Sequence, residues 1–164
     1  MNALRVNRER LWDSLMQMAE IGATENGGSC RLALSDEDKL GRDLFIDWCK
    51  EAGCSIEIDR MGNIFATRAG RSNQLPVATG SHLDTQPTGG KFDGAFGVLS
   101  GVEVLRSLAG LPPTLRAIEV VAHPGQNIDK RDLRCAGLQP FLLRIDVGAR
   151  QILLLYGLEH HAHG

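Results

Sequence analysis

Between Gly80 and Gly101 the chain reads GSHLDTQPTGGKFDGAFGVLSG, and three of these residues could do chemistry together. His82 and Asp84 lie two apart at the end of an apolar run that reads as a strand, a spacing that puts both side chains on one face. An imidazole that binds a metal usually has its other ring nitrogen held by a carboxylate, and Asp84 could hold that of His82. Asp93 follows a Gly-Gly turn and opens a helical pattern at Gly94. A carboxylate there could reach back over the strand ends, where open α/β sheets bind ligands. His82 and Asp93 are suitable ligand types for zinc or manganese. Gly89, Gly90 and Gly94 would let the backbone approach a metal cluster closely. The same spacing also arises from an ordinary capped histidine and an N-cap aspartate, so alone it does not decide for a metal.

The elements that must position these residues follow from periodicity. Asn7 to Ala19 predicts an amphipathic helix with Leu11, Leu15 and Met18 on one face, Trp12 beside them, and Gly22 as the stop. Asp36 to Ala52 predicts a second helix, N-capped by Ser35 with Asp36, Glu37 and Asp38 in its first turn. Leu40, Leu44, Phe45 and Trp48 form its expected buried stripe, and Gly53 closes it. Short strands are expected at Ser55 to Asp59, Asn63 to Arg68 and Val77 to Leu83, then a helix over Gly94 to Leu108 with Val98, Val102 and Leu105 as its ridge. Pro112 and Pro113 break that helix, and Arg116 to Ala122 reads as a fourth strand. The closing strand–helix–strand unit suggests a parallel crossover, so the fold class is α/β.

Composition excludes several roles. Net charge is −2, which gives no footprint for nucleic acid or anionic membranes, and 5% aromatics is too few for a base-stacking platform. The N-terminus MNALRVNRERLWDSLMQMAEIG shows no apolar h-region or cleavage site, and no apolar stretch approaches the ~18 residues of a membrane span. The expected location is the cytoplasm. Cys30, Cys49, Cys54 and Cys135 form no C-x-x-C pair, so they read as free thiols rather than a zinc site.

The run from Gly80 to Val98, G-S-H-x-D-T-x-x-x-G-G-x-x-D-G-x-x-G-V, resembles the signature of the hydantoinase/carbamoylase branch of the M20-type metallopeptidases. Ile21 to Gly70 resembles the same branch almost throughout. That branch includes N-carbamoyl-L-amino-acid hydrolases, allantoate amidohydrolases and β-ureidopropionase-like enzymes. The resemblance implies an incomplete M20-type catalytic domain over residues 1–121, with a mixed sheet flanked by helices and the lid domain absent. It implies two divalent metals (zinc, manganese, nickel or cobalt), with His82 ligating one, Asp93 bridging both, and Asp84 supporting His82. It implies hydrolysis of a C–N bond in an N-carbamoyl-L-amino acid or a ureide such as allantoate, and homodimers of full-length relatives through the lid domain.

After Val121 the text departs from that pattern. The strand should lead into an Asn-Glu-Glu-Gly-like run carrying the general base and a further ligand; it reads AHPGQNIDKRD, and Glu159 is the sole glutamate after Glu119. The general-base glutamate is therefore missing from the expected site. The abrupt change suggests a shifted reading frame, with 122–164 a divergent, poorly ordered tail. Phe141 to Ile145 and Gln151 to Tyr156 are apolar runs with strand character, and His123, His160, His161 and His163 are further imidazoles within it. Two roles compete on this reading: an amidohydrolase segment expected to be inactive alone, and a non-catalytic α/β module that binds a partner or a full-length homologue. A dipeptidase or deacylase of the wider superfamily fits H-x-D but not the G-G-x-x-D-G text.

Overall fold

The computed structural model describes residues 4–125 together with 146–147 and 150–151. Helix α1 (Arg8–Glu20) begins where the Asn7 side chain accepts the Arg10 N–H at 3.0 Å. Helix α2 (Asp36–Glu51) begins where Ser35 Oγ accepts the Asp38 N–H at 3.2 Å, with three acidic residues facing the positive end of the helix dipole. Ser35 is the cap expected from the sequence, whereas Asn7, expected as the first residue of its helix, is its cap.

The stripe α2 buries is shifted from the expected one. Asp38, Gly41, Phe45, Trp48 and Cys49 point inward, while Leu40 is 57% exposed. Leu40 lies about 100° round the helix from Gly41, off the line through Gly41, Phe45 and Trp48. Trp12 also stays outside the core, half exposed, with its ring 5.8 Å from that of Phe92.

Strands β1 (Ser55–Ile58) and β2 (Ile64–Arg68) pair antiparallel. Asp59 builds the turn between them, accepting the N–H groups of Met61 and Asn63 at 2.8 and 2.9 Å. Strand β3 (Val77–His82) feeds helix α3 (Ala95–Leu108), which returns to β4 (Ile118–His123), parallel to β3. The sheet order is β1-β2-β4-β3, antiparallel on one side of β4 and parallel on the other. The mixed sheet and the crossover expected from the sequence are both present. Asp146–Val147 (β5) and Arg150–Gln151 (β6) pair separately. The runs at 141–145 and 152–156, Cys135, and the tail histidines lie outside the described residues.

Period-2 alternation divides the sheet. Ile64, Ala66, Val120 and Ala122 join Leu15, Met18, Phe45, Val98, Leu99, Val102 and Leu105 in one core shared by all three helices. Phe65 and Val121 point to the opposite face. Each fully buried Leu, Val or Phe stabilises the fold by about 1.5–3 kcal/mol. Helix α3 lies tight on the β3–β4 pair: a Cβ at Gly101 would come within 2.8 Å of Val120.

Polar ties lock this frame. Glu103 on α3 is 1% exposed, and Arg10 of α1 grips it with Nε and Nη2 at 2.8 and 2.9 Å. The Asn7 N–H and Ser107 Oγ donate to the same carboxylate. Arg68 Nη2 donates to the carbonyls of Leu108, Leu111 and Pro112, fastening β2 to the turn after α3. Cys30, Cys49 and Cys54 are free thiols, and burial pushes that of Cys49 up to about 12. Among the described residues no helix is long and apolar enough to cross a membrane.

Candidate metal centre

His82 is the last residue of β3, at the carboxyl end of the parallel strand pair. The chain then turns inward, so that Leu83, Asp84 and Thr85 are each 1% exposed. The turn brings both the backbone carbonyl of Asp84 (2.9 Å) and its carboxylate Oδ1 (3.1 Å) to Nδ1 of His82. Both partners are acceptors, so Nδ1 carries the proton and Nε2 keeps its lone pair. That is the tautomer a histidine needs to bind a cation through Nε2. Burial lowers the pKa of His82, but the hydrogen bonds and charge of Asp84, with a contribution from Asp93, outweigh it and leave the ring more basic than usual.

Asp93 lies on the exposed turn that opens α3. Its neighbour Gly94 has φ +66°, and a Cβ there would sit 2.4 Å from Cε1 of His82. Only a glycine lets this turn fold against the imidazole, which places the Asp93 backbone beside the His82 ring. Gly89 has a different task from the one its spacing suggested: its carbonyl accepts the Ser29 N–H at 2.9 Å, stitching the Gly-Gly turn to the loop before α2.

His123 occupies the register position beside His82, and the two rings lie 5.7 Å apart at 44°. Burial lowers the pKa of His123, and His82 adds to that. Two neighbouring imidazoles are thus driven in opposite directions, one toward and one away from the charged form. His82, Asp84 and His123 are brought together. Asp93 is an exposed residue next to Gly94, and its charge acts on His82. Among the described residues no group of three or more His, Cys, Asp or Glu gathers to hold a metal. Arg31 and Ser29, which underpin this turn, carry no pattern in the sequence that sets them apart, and Thr85 stands in the H-x-D-T run with no role read for it. Their burial depends on carbonyls distant along the chain.

The chain is 58% identical over 108 residues to an N-carbamoyl-L-amino-acid amidohydrolase of Rhizobium meliloti, covering 65% of this chain and 26% of that one. It is 40% identical over 110 residues to the enzyme of the same name from Pseudomonas sp. (strain NS671), and 29% identical over 139 residues to a ureidoglycolate hydrolase of Arabidopsis thaliana. Among solved structures, a hydantoinase/carbamoylase-family amidase from Burkholderia multivorans superposes with a TM-score of 0.70 at 58% identity, over 73% of this chain and 29% of that one. A glutaminyl cyclase of Porphyromonas gingivalis, 13% identical with a TM-score of 0.61, shares the fold alone. No protein-family model matches the chain. The chain spans about a quarter of the length of these N-carbamoyl-L-amino-acid amidohydrolases (26% and 27%). In sequence and in fold, the chain is thus similar to part of the amidases of the hydantoinase/carbamoylase family.

Proposed function

We propose that this chain carries one part of the site of a metal-dependent amidohydrolase that cleaves a C–N bond in an N-carbamoyl-L-amino acid or a related ureide. The observation that carries the reading is the His82–Asp84 pair, an imidazole locked by two acceptors so that Nε2 is presented at the strand end. The substrate class comes from the names of the relatives, N-carbamoyl-L-amino-acid amidohydrolases and ureidoglycolate hydrolases. In this reading His82 and Asp93 are metal ligands and Asp84 holds His82. A divalent metal supplies Lewis acidity and lowers the pKa of a bound water.

The described residues fit that metal in part. His82 has the right tautomer and Asp93 stands next to it, but no third donor completes the set. The sequence also holds no Glu-Glu pair after β4 to take the water's proton. The arrangement is a half-site, with residues 1–121 as the amidase segment and 122–164 as a divergent one. Turnover by this chain alone is not expected, because the parts of such a site act as a unit.

A second reading, a non-catalytic module that binds a full-length homologue, is favoured by one feature. β3 ends the sheet among the described residues, with Val77 52% exposed, and parallel strands are normally covered. Metal content after dialysis against zinc or manganese, with an assay on N-carbamoyl amino acids, separates the two. Zinc held at His82 supports the half-site, and no metal with no turnover leaves the binding module.

A further inference from the structure

Arg31 lies in the loop between α1 and α2 and is fully buried, where an unmet guanidinium would cost several kcal/mol. Its Nε donates to the Leu83 carbonyl at 3.0 Å. Its Nη1 donates to the carbonyls of Met18 and Ile21, both at 2.9 Å, and to Ser29 Oγ at 2.6 Å. The Arg31 backbone is tied to the same place. Its N–H donates to Thr85 Oγ1 at 2.7 Å, and its carbonyl accepts the Thr85 N–H at 2.6 Å. Thr85 Oγ1 donates onward to the Ser29 carbonyl at 3.0 Å. One residue therefore holds both flanks of Asp84, immediately after His82.

The fold makes room for it. Gly41 sits inside α2, where a glycine costs about 1 kcal/mol relative to alanine. A Cβ there would meet Met18 Sδ at 3.3 Å and Arg31 Cδ at 3.4 Å. Burial lowers the pKa of Arg31, and the charges of Asp38 and Asp84 oppose that. The guanidinium thus lies in the field of the carboxylate that supports His82.

We propose that Arg31 is the positioning residue for the His82–Asp84 pair: by holding the Leu83 carbonyl and the Thr85 backbone, it sets the turn that aims both acceptors of Asp84 at Nδ1 of His82. This fixes the tautomer that presents Nε2. That Nε2 then meets a cation rests on the proposed function; that Arg31 sets the tautomer does not.

The test uses the full chain labelled with 15N-histidine, in alkaline solution where the rings are neutral, with His82 assigned by its loss in His82→Gln. Long-range 1H–15N correlations read the tautomer. The parent protein is expected to show His82 as Nδ1–H. Arg31→Met matches the length of the side chain and removes its donors, and is expected to shift His82 to mainly Nε2–H, the form favoured by a solvated imidazole. Arg31→Lys restores one donor and part of the Nδ1–H population. If Arg31→Met does not fold, Thr85→Val removes the hydroxyl bridge while keeping the guanidinium, and a partial shift is expected. An unchanged Nδ1–H signal in folded Arg31→Met, or in Thr85→Val where that variant is the one read, overturns the proposal. Zinc titration of the same samples separates the two claims. A tautomer shift without zinc at His82 in the parent keeps the positioning role and removes the metal reading. Zinc at His82 in the parent with the same tautomer in parent and Arg31→Met keeps the metal reading and removes the positioning role.

Discussion

The helix–sheet body and the strand-end site are built to different standards of completeness. In the body the buried carboxylate of Glu103 receives four hydrogen bonds from Asn7, Arg10 and Ser107. At the strand end Nδ1 of His82 is held twice by Asp84, yet among the described residues no group of donors that could share a cation with it is gathered. A core stabilises by burial, which a quarter of a relative's length can achieve by closing three helices over one face of a sheet. A chelate needs several donors from distant parts of a chain at one point.

The largest effect expected on the body comes from Phe45→Ala, which empties a fully buried position shared by helices and sheet. It should cost roughly 3–5 kcal/mol in urea unfolding. A loss under 1 kcal/mol would mean that the body does not pack as described.

Glu103→Gln should cost about 2 kcal/mol, the scale of hydrogen bonds to a charged group, since Arg10 remains partly in solvent. Burial raises the pKa of Glu103, but the donors from Arg10, Asn7 and Ser107 outweigh it and hold the group below the ordinary glutamate value. Its contribution is therefore full above the unfolded value and is lost as pH falls through the folded one. Unfolding midpoints across the acid range should converge for parent and Glu103→Gln; a constant gap would show that the carboxylate is not the group responsible.

Gly94→Ala should cost about 1–2 kcal/mol through its left-handed backbone. Its larger consequence is at the site, because the new Cβ displaces the His82 ring from Asp84. Histidine NMR should show loss of the His82 Nδ1–H signal while body resonances stay in place. A preserved signal would separate the Asp93–Gly94 turn from the site. At the small end, Lys39→Ala removes an exposed pair with Asp43 and should leave the unfolding midpoint unchanged.

What the sequence disclosed followed from local physics. Ser35 announced the start of α2, alternation placed the strands, and the Pro112–Pro113 pair lies just beyond the end of the crossover helix. The H-x-D spacing drew attention to His82 and Asp84 as neighbours, but they meet through the turn after β3 rather than through strand alternation. Leu40 was misplaced because Gly41, inconspicuous in an apolar count, is the residue that faces Arg31. Arg31 and Glu103 were not legible as buried groups, since their partners stand 52 and 93 residues away. Asp93 was found as a residue, but its exposed carboxylate could not be read from spacing, because side-chain direction at a glycine turn is set by the fold.

The central claim is that His82 is held ready for a cation in a half-site. A zinc titration of the full chain, followed by 15N-histidine NMR, tests it most directly. The account predicts that the Nε2 resonance of His82 moves with zinc while Nδ1 stays protonated, and that Asp93→Asn weakens the response. A His82 signal that zinc leaves unmoved, or zinc entering through Nδ1, would contradict it.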